Sequence, residues 1–174
     1  MQLEYVATTA LDNDERSAVL ELCRVAYDED LTTYLADIGA GLHALGRADG
    51  ALVAHAMIVR RQLETAGHAL KTAYVELVAT HPAAKRRGYG SAVLRALADQ
   101  MEGYGIAALS PSDARFYARL GWVMWRGPLT VRTRDAVVPS PPDEQVMVLR
   151  LPRTPVALDL GASLSVEWRP GEVW

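Results

Sequence analysis

The 174 residues suffice for one domain and leave little for a second. A composition 50% hydrophobic and 22% charged is that of a globular chain and excludes disorder as its main state. The formal charge of −3, from 18 Lys+Arg against 21 Asp+Glu, speaks against non-specific nucleic-acid binding, and the single cysteine, Cys23, excludes an internal disulfide or a cysteine-rich zinc site.

No apolar run reaches the length of a membrane span, and Met1-Gln-Leu-Glu-Tyr5 has no signal-peptide character. One soluble, cytoplasmic domain over residues 1–174 is expected, with no membrane or nucleic-acid partner. Gln2–Thr8 reads as a short strand. Asp12-Asn-Asp-Glu15 has the form of a capping box. It opens a helix whose apolar positions Val19/Leu20, Leu22/Cys23 and Ala26/Tyr27 follow the 3.6 period, which assigns Cys23 to the core. A weaker helical stretch, about Leu31–Ile38, is broken by Gly39 and Gly41. Three strands follow, Gly41–Ala48, Ala51–Glu64 and His68–His81, separated by the hairpin signals Asp49-Gly50 and Ala66-Gly67. Pro82 ends the third, because proline cannot stay in a central ladder.

The next helix is expected over Ala92–Met101, with Val93, Leu94, Leu97 and Met101 at helical spacing. Ile106–Leu109 reads as a short buried strand. Ser112 is the expected N-cap of a helix over Asp113–Leu120, closed by Gly121. Strand character returns in Trp122–Trp125, Leu129–Arg132, Val146–Leu151 and Leu164–Trp168, with a proline-rich loop at Pro139-Ser-Pro-Pro142. His43, His55, His68 and His81 have no metal-ligand spacing and read as surface or strand packing, so no metal is expected.

The most specific feature joins the His68–His81 strand to the following helix: Lys85-Arg-Arg-Gly-Tyr-Gly-Ser91. Gly88 and Gly90 carry no side chains, so successive backbone N–H groups can point at one anion. A helix begins there, and its positive dipole end adds to the same site. Lys85, Arg86 and Arg87 supply further positive charge. There is no third glycine and no Gly-Lys-Ser/Thr, so this is neither a Rossmann fingerprint nor a P-loop.

The segment resembles the acyl-CoA pyrophosphate loop of the GNAT N-acetyltransferase superfamily, Gln/Arg-x-x-Gly-x-Gly/Ala, with Lys85 in the first position. Phe116-Tyr-Ala-Arg-Leu-Gly-Trp122 is similar to the Phe-Tyr-x-x-x-Gly-Phe segment of the same enzymes. There, Phe116 and Leu120 fall one turn apart as core residues while Tyr117 points elsewhere. Tyr74-Val-Glu-Leu-Val-Ala-Thr80, Ala54-His-Ala and Arg60-Arg-Gln-Leu resemble strands of aminoglycoside 2′-N-acetyltransferases. Glu167-Trp-Arg-Pro-Gly-Glu-Val-Trp174 resembles their Asp-Trp-Arg-x-Gly-Asp-Val-Trp ending.

The resemblance implies an α/β GNAT fold: a mixed, mostly antiparallel sheet, splayed at the His68–His81 strand to admit acetyl-CoA and flanked by helices. It implies acetyl transfer to the 2′-amine of an aminoglycoside, with antibiotic resistance as the consequence. Glu76 would be the base that takes the ammonium proton, and Tyr117 would protonate the departing thiolate. Val78, Ala79 and Thr80 would hold the pantetheine arm through their backbone. Lys85, Arg86, Arg87, Gly88, Tyr89, Gly90 and Ser91 would hold the pyrophosphate. The antibiotic would meet Asp30, Glu76, the main chain at Leu77, Ser110, Asp143, Glu144, Glu172 and the carboxylate of Trp174. Leu77 stands where the family has glycine, narrowing that spot, and Glu172 replaces an aspartate. Fewer or longer acids suit a less polycationic substrate, of which kasugamycin is an example. A homodimer is the family expectation. Two alternatives stay open: a GNAT enzyme acting on another small amine or a protein amine, and a non-catalytic sensor of aminoglycoside or CoA.

Overall fold

A computed structural model describes residues 1–174. Its internal contacts divide the chain into two units, Met1–Val59 with Val75–Gln100, and Arg60–Tyr74 with Met101–Trp174.

The first unit begins with β1 (Gln2–Ala7), followed by α1 (Asn13–Tyr27), α2 (Thr32–Asp37) and β2 (Gly41–Ala48). It then contains the first part of β3 (Ala51–Thr65), the last part of β4 (His68–Thr80), and α3 (Tyr89–Ala98). The expected capping box is present: Asp12 accepts from the Glu15 amide, and Glu15 reaches back to the Asp12 amide. β1, β2 and β3 form an antiparallel meander, with Leu3 opposite Gly46 and Ala44 opposite Ala56. The β2–β3 turn fits a primed hairpin turn, with φ of 50° at Asp49 and 81° at Gly50. Val19, Leu22 and Cys23 of α1 pack with Leu35, Leu45, Met57, Val59, Leu77 and Ala79 into one core. Burial pushes the Cys23 thiol up to about 12, so it stays protonated as a small core residue, as its helical spacing predicts.

The second unit holds the remainder of β3 and β4, joined by a turn with φ of 48° at Ala66 and 76° at Gly67. To these it adds β5 (Ile106–Leu109), α4 (Ala114–Ala118), β6 (Val123–Met124), β7 (Leu129–Arg132), β8 (Val137–Pro139), β9 (Met147–Leu149) and β10 (Leu164–Glu167). The strand order is β6-β9-β5-β4-β3-β10-β7-β8. β5 runs parallel to β4 at Thr72, Ala73 and Tyr74, and β10 runs parallel to β7, while β9 and β8 pair antiparallel. The sheet is therefore mixed, as expected. Tyr74, Ile106, Trp125, Val148, Leu164 and Trp174 belong to its core.

Three sequence expectations need correction. α3 starts at Tyr89 rather than Ala92 and ends at Ala98, because Gly88 takes a left-handed conformation (φ 81°) that lets the helix begin at once. α4 is shorter than Asp113–Leu120. Asp113, not Ser112, caps it, accepting from the amides of Arg115 and Phe116. β8 was not expected; Pro139 is its last residue, and β8 lies at the edge of the order, where a missing N–H costs no ladder bond.

Candidate active site

Glu76 is 6% exposed on β4, and the Tyr34 hydroxyl donates to its Oε2 at 2.7 Å. A carboxylate removed from water needs such a donor, and α2 supplies it from 42 residues away. The next residue, Leu77, has φ of 51°, a left-handed backbone inside a strand. That geometry is unusual for a branched side chain and costs about 1–2 kcal/mol. It falls at the end of an unbroken buried run of β4, Thr72–Leu77. The Leu77 side chain packs in the core with residues of α1 and α2. Its carbonyl accepts from His55 Nδ1 at 2.9 Å.

His55 Nε2 in turn lies 2.9 Å from His43 Nδ1, and His43 Nε2 lies 2.9 Å from Thr8 Oγ1. Both rings are fully buried. Burial, with Arg16 nearby, lowers the His43 pKa to about 4. Burial and then His43 lower that of His55 to about 3. Both imidazoles are therefore neutral near pH 7. Surface or strand packing was the expectation for these two residues; the structure buries both, and their contact with each other was not expected.

Val78 is next on the strand, and its carbonyl accepts from the Tyr27 hydroxyl at 2.9 Å. Beyond Thr80, the short turn Pro82–Ala84 is fastened by His81, whose Nδ1 accepts from the Ala83 amide. Arg86 (φ 66°) and Gly88 (φ 81°) are both left-handed, and this bends the backbone into a cradle of N–H groups before α3. No side chain caps α3, which leaves the amides of its first turn for a ligand. Lys85, Arg86 and Arg87 are exposed. Uncapped amides, two left-handed residues and three bases fit the pyrophosphate of an acyl-CoA.

In the second unit Tyr117 is 4% exposed, whereas Phe116 and Leu120 are only half-buried. This reverses the expectation that the latter two form the core. A helix of five residues is too short for periodicity to tell its faces apart. Burial pushes the Tyr117 hydroxyl up to about 12, against a hydrogen bond with Ser112, and Asp113 raises it further. It therefore holds its proton at neutral pH. Phe116 and Trp122 meet its ring edge-on.

Ser110 and Glu144 are brought together: the Ser110 hydroxyl lies 3.1 Å from Glu144 Oε1 and 3.0 Å from the Gln145 carbonyl. Asp143 is exposed beside them in sequence. Asp30, by contrast, lies in the first unit and is used locally, accepting from the amide and hydroxyl of Thr32. Those bonds hold its pKa below the ordinary aspartate value.

The tail from Glu167 is anchored by Arg61, a residue that sequence reasoning noted only for resemblance. Arg61 is 4% exposed and donates to the Glu167 carboxylate, the Glu167 carbonyl and the Val173 carbonyl. Its guanidinium lies over the Tyr74 ring, 5.7 Å from the centroid. The Glu172 side chain is exposed, while the Trp174 ring is 3% exposed and its Nε1 donates to Ser140 Oγ at 2.7 Å. The Trp174 side chain is thus a core residue.

The acetyltransferase (GNAT) domain family matches residues 10–124. The chain belongs to the GNAT acetyltransferase family. It is 34% identical to an aminoglycoside 2′-N-acetyltransferase of Mycolicibacterium fortuitum, over 97% of this chain and 90% of that protein. Among solved structures, a GNAT family N-acetyltransferase (YhbS) from Escherichia coli in complex with CoA aligns with a TM-score of 0.64. It is 16% identical and covers 96% of this chain and 89% of its own. Eis1 from Mycobacterium abscessus aligns with a TM-score of 0.61 at 18% identity over 70% of this chain, which spans only 31% of that protein. As a GNAT member the protein is an acetyl-CoA-dependent N-acetyltransferase, and the cradle before α3 is where its residues fit that co-substrate.

The structure adds side-chain contacts that no motif announced: Tyr34 meets Glu76, Tyr27 and His55 meet the Val78 and Leu77 carbonyls, His43 backs His55, and Arg61 holds the tail. Arg61 alternates with the exposed Arg60 and Gln62 on β3, so its side chain falls on the buried face.

Proposed function

We propose that this acetyltransferase modifies the 2′-amine of an aminoglycoside antibiotic and so confers resistance, as a single domain that dimerises in the cytoplasm. The observation that carries the substrate class is the 34% identity, over 97% of the chain, to a protein named for that reaction. A less polycationic acceptor, of which kasugamycin is an example, is favoured by the sparse acids.

Transfer to nitrogen requires a neutral amine, and a sugar ammonium at pH 7 must first lose a proton. Glu76 Oε1 or Oε2 accepts it, directly or through one water, while Tyr34 keeps the carboxylate oriented. Acetyl-CoA, when bound, supplies the acetyl group as an activated thioester. Val78, Ala79 and Thr80 hold its pantetheine arm through the main chain, and residues 85–91 hold its phosphates. Tyr117 carries its hydroxyl proton at neutral pH, as tyrosine ordinarily does, and is read as the acid that supplies the departing thiolate with a proton. Asp30 and the main chain at Leu77 in the first unit, and Ser110, Asp143, Glu144, Glu172 and the carboxylate of Trp174 in the second, are assigned to the amino sugar by resemblance to the aminoglycoside enzymes. Asp30, Asp143 and Glu172 are exposed, so each contributes only about 0–1 kcal/mol to holding a cation, whereas Glu144 is half-buried against Ser110.

The test is a pair of variants assayed by thiol release from acetyl-CoA with tobramycin as acceptor. Glu76→Gln is expected to lower turnover about 10²–10⁴-fold, most severely at low pH, where free amine is scarce. Tyr117→Phe is expected to lower turnover with antibiotic binding unchanged. Wild-type rates in both variants across about pH 6–9 contradict the assignment.

A further inference from the structure

The protein buries two histidines that the proposed chemistry does not use. Their tautomers follow from their partners. A carbonyl can only accept, so His55 Nδ1 carries the proton toward Leu77 O. The neutral ring then accepts at Nε2, which requires His43 to donate from Nδ1. His43 accepts at Nε2, so the single Thr8 hydroxyl proton points to it at 2.9 Å in preference to the Gly41 carbonyl at 3.1 Å, while Thr8 Oγ1 itself accepts from the Gly41 amide at 2.8 Å. The result is one continuous, uncharged chain of donors with a single direction: Gly41 N–H, Thr8, His43, His55, Leu77 carbonyl. It ends on the residue whose left-handed backbone follows Glu76.

We infer that the His43–His55 pair consists of positioning residues for Glu76, fixing the Leu77 peptide so that the preceding carboxylate is presented in one orientation. The inference rests on the reading of Glu76 as the base. Glu76 is held at two points: its carboxylate by Tyr34, and the backbone one residue on by His55. A misplacement of a reacting group by about 1 Å costs on the order of 10²-fold in rate, so the relay is a determinant of turnover although neither ring touches a substrate.

The experiment compares two polar replacements at His55 in the full-length enzyme, with acetyl-CoA and tobramycin. In His55→Asn the amide nitrogen stands where Nδ1 stood and can still donate to Leu77. In His55→Gln the amide oxygen can stand near the Nε2 position and accept from His43 Nδ1, while the donor to Leu77 is lost. The expected result is a loss in kcat of about 10- to 100-fold for His55→Gln and largely restored turnover for His55→Asn. The KM for acetyl-CoA stays unchanged in both. In a Glu76→Gln background, His55→Gln should add little further loss, because the group being positioned is already gone. Equal kcat in the two variants, or the same fold-loss with and without Glu76, overturns the positioning role while leaving Glu76 as the base. Wild-type turnover in Glu76→Gln overturns the base reading and this inference with it.

Discussion

Burying two neutral histidines ties the stability of the protein to pH. The unfolded chain carries histidines with an ordinary pKa of about 6.5, whereas burial lowers His43 to about 4 and His55 to about 3. Below pH 6.5 the unfolded state takes up two protons that the folded state refuses. Stability is therefore fully present above 6.5, falls through the window from 6.5 toward 4, and continues to fall toward 3 for His55. Between pH 6.5 and 5 each site loses about 2 kcal/mol, at 1.36 kcal/mol per unit, or about 4 kcal/mol for the pair. Against a typical total of 5–15 kcal/mol this is a large fraction. It corresponds to a melting temperature lower by about 8–16 °C at pH 5 than at pH 7. The Asp30 and Glu21 carboxylates are held below their ordinary range by Thr32 and Arg24, so they stay ionised between pH 7 and pH 5. Urea unfolding at pH 7 and pH 5 reads the difference directly, and replacing both histidines by apolar residues should flatten it. A loss under about 1 kcal/mol in the wild type, or an equal loss in the double variant, refutes the reasoning.

Other consequences follow from single positions. Because Leu77 is left-handed, Leu77→Gly should be more stable than Leu77→Ala by about 0.5–1 kcal/mol in urea midpoints, the reverse of the order at an ordinary strand position. Gly88→Ala meets no atom within 4 Å, so its cost is conformational. It should lower stability by about 1 kcal/mol and raise the KM for acetyl-CoA severalfold, leaving the KM for the acceptor unchanged. Trp174→Ala removes a buried ring and its bond to Ser140, and calorimetry should show about 3–5 kcal/mol of lost stability.

How much of this was legible in the sequence depends on the range of the interaction that decides it. The bounds of Gly41–Ala48, Ile106–Leu109 and Leu129–Arg132 were readable because apolar pattern and turn residues are local signals, and the structure reproduces them. The anion loop was readable for the same reason. The start of α3 was missed because Tyr89-Gly-Ser91 has loop composition, and only the conformation of Gly88 makes it helical. Phe116 and Tyr117 exchanged roles because five residues leave no period to read. The histidine relay lies beyond any local pattern. In the β2–β3 register His43 faces Met57 and His55 faces Leu45, so the two rings are diagonal neighbours that meet only once that register is set. Leu77 is harder still, since nothing in a leucine announces a left-handed residue inside a strand. Glu76 was found by resemblance, while Tyr34, which holds it, comes from a helix that sequence reading ranked as weak.

The central claim is regiospecific acetylation of an amino-sugar nitrogen at the 2′ position. It is tested most directly by following thiol release from acetyl-CoA with kasugamycin, gentamicin, tobramycin, kanamycin A and a peptide amine, and locating the acetyl group in each product by NMR. Kanamycin A carries a hydroxyl where the others carry the 2′-amine. Acetylation at the 2′-nitrogen of one or more of the 2′-amino compounds, with kanamycin A and the peptide left unmodified, is the result predicted. Equal turnover of kanamycin A, or acetyl found on the peptide alone, would contradict it.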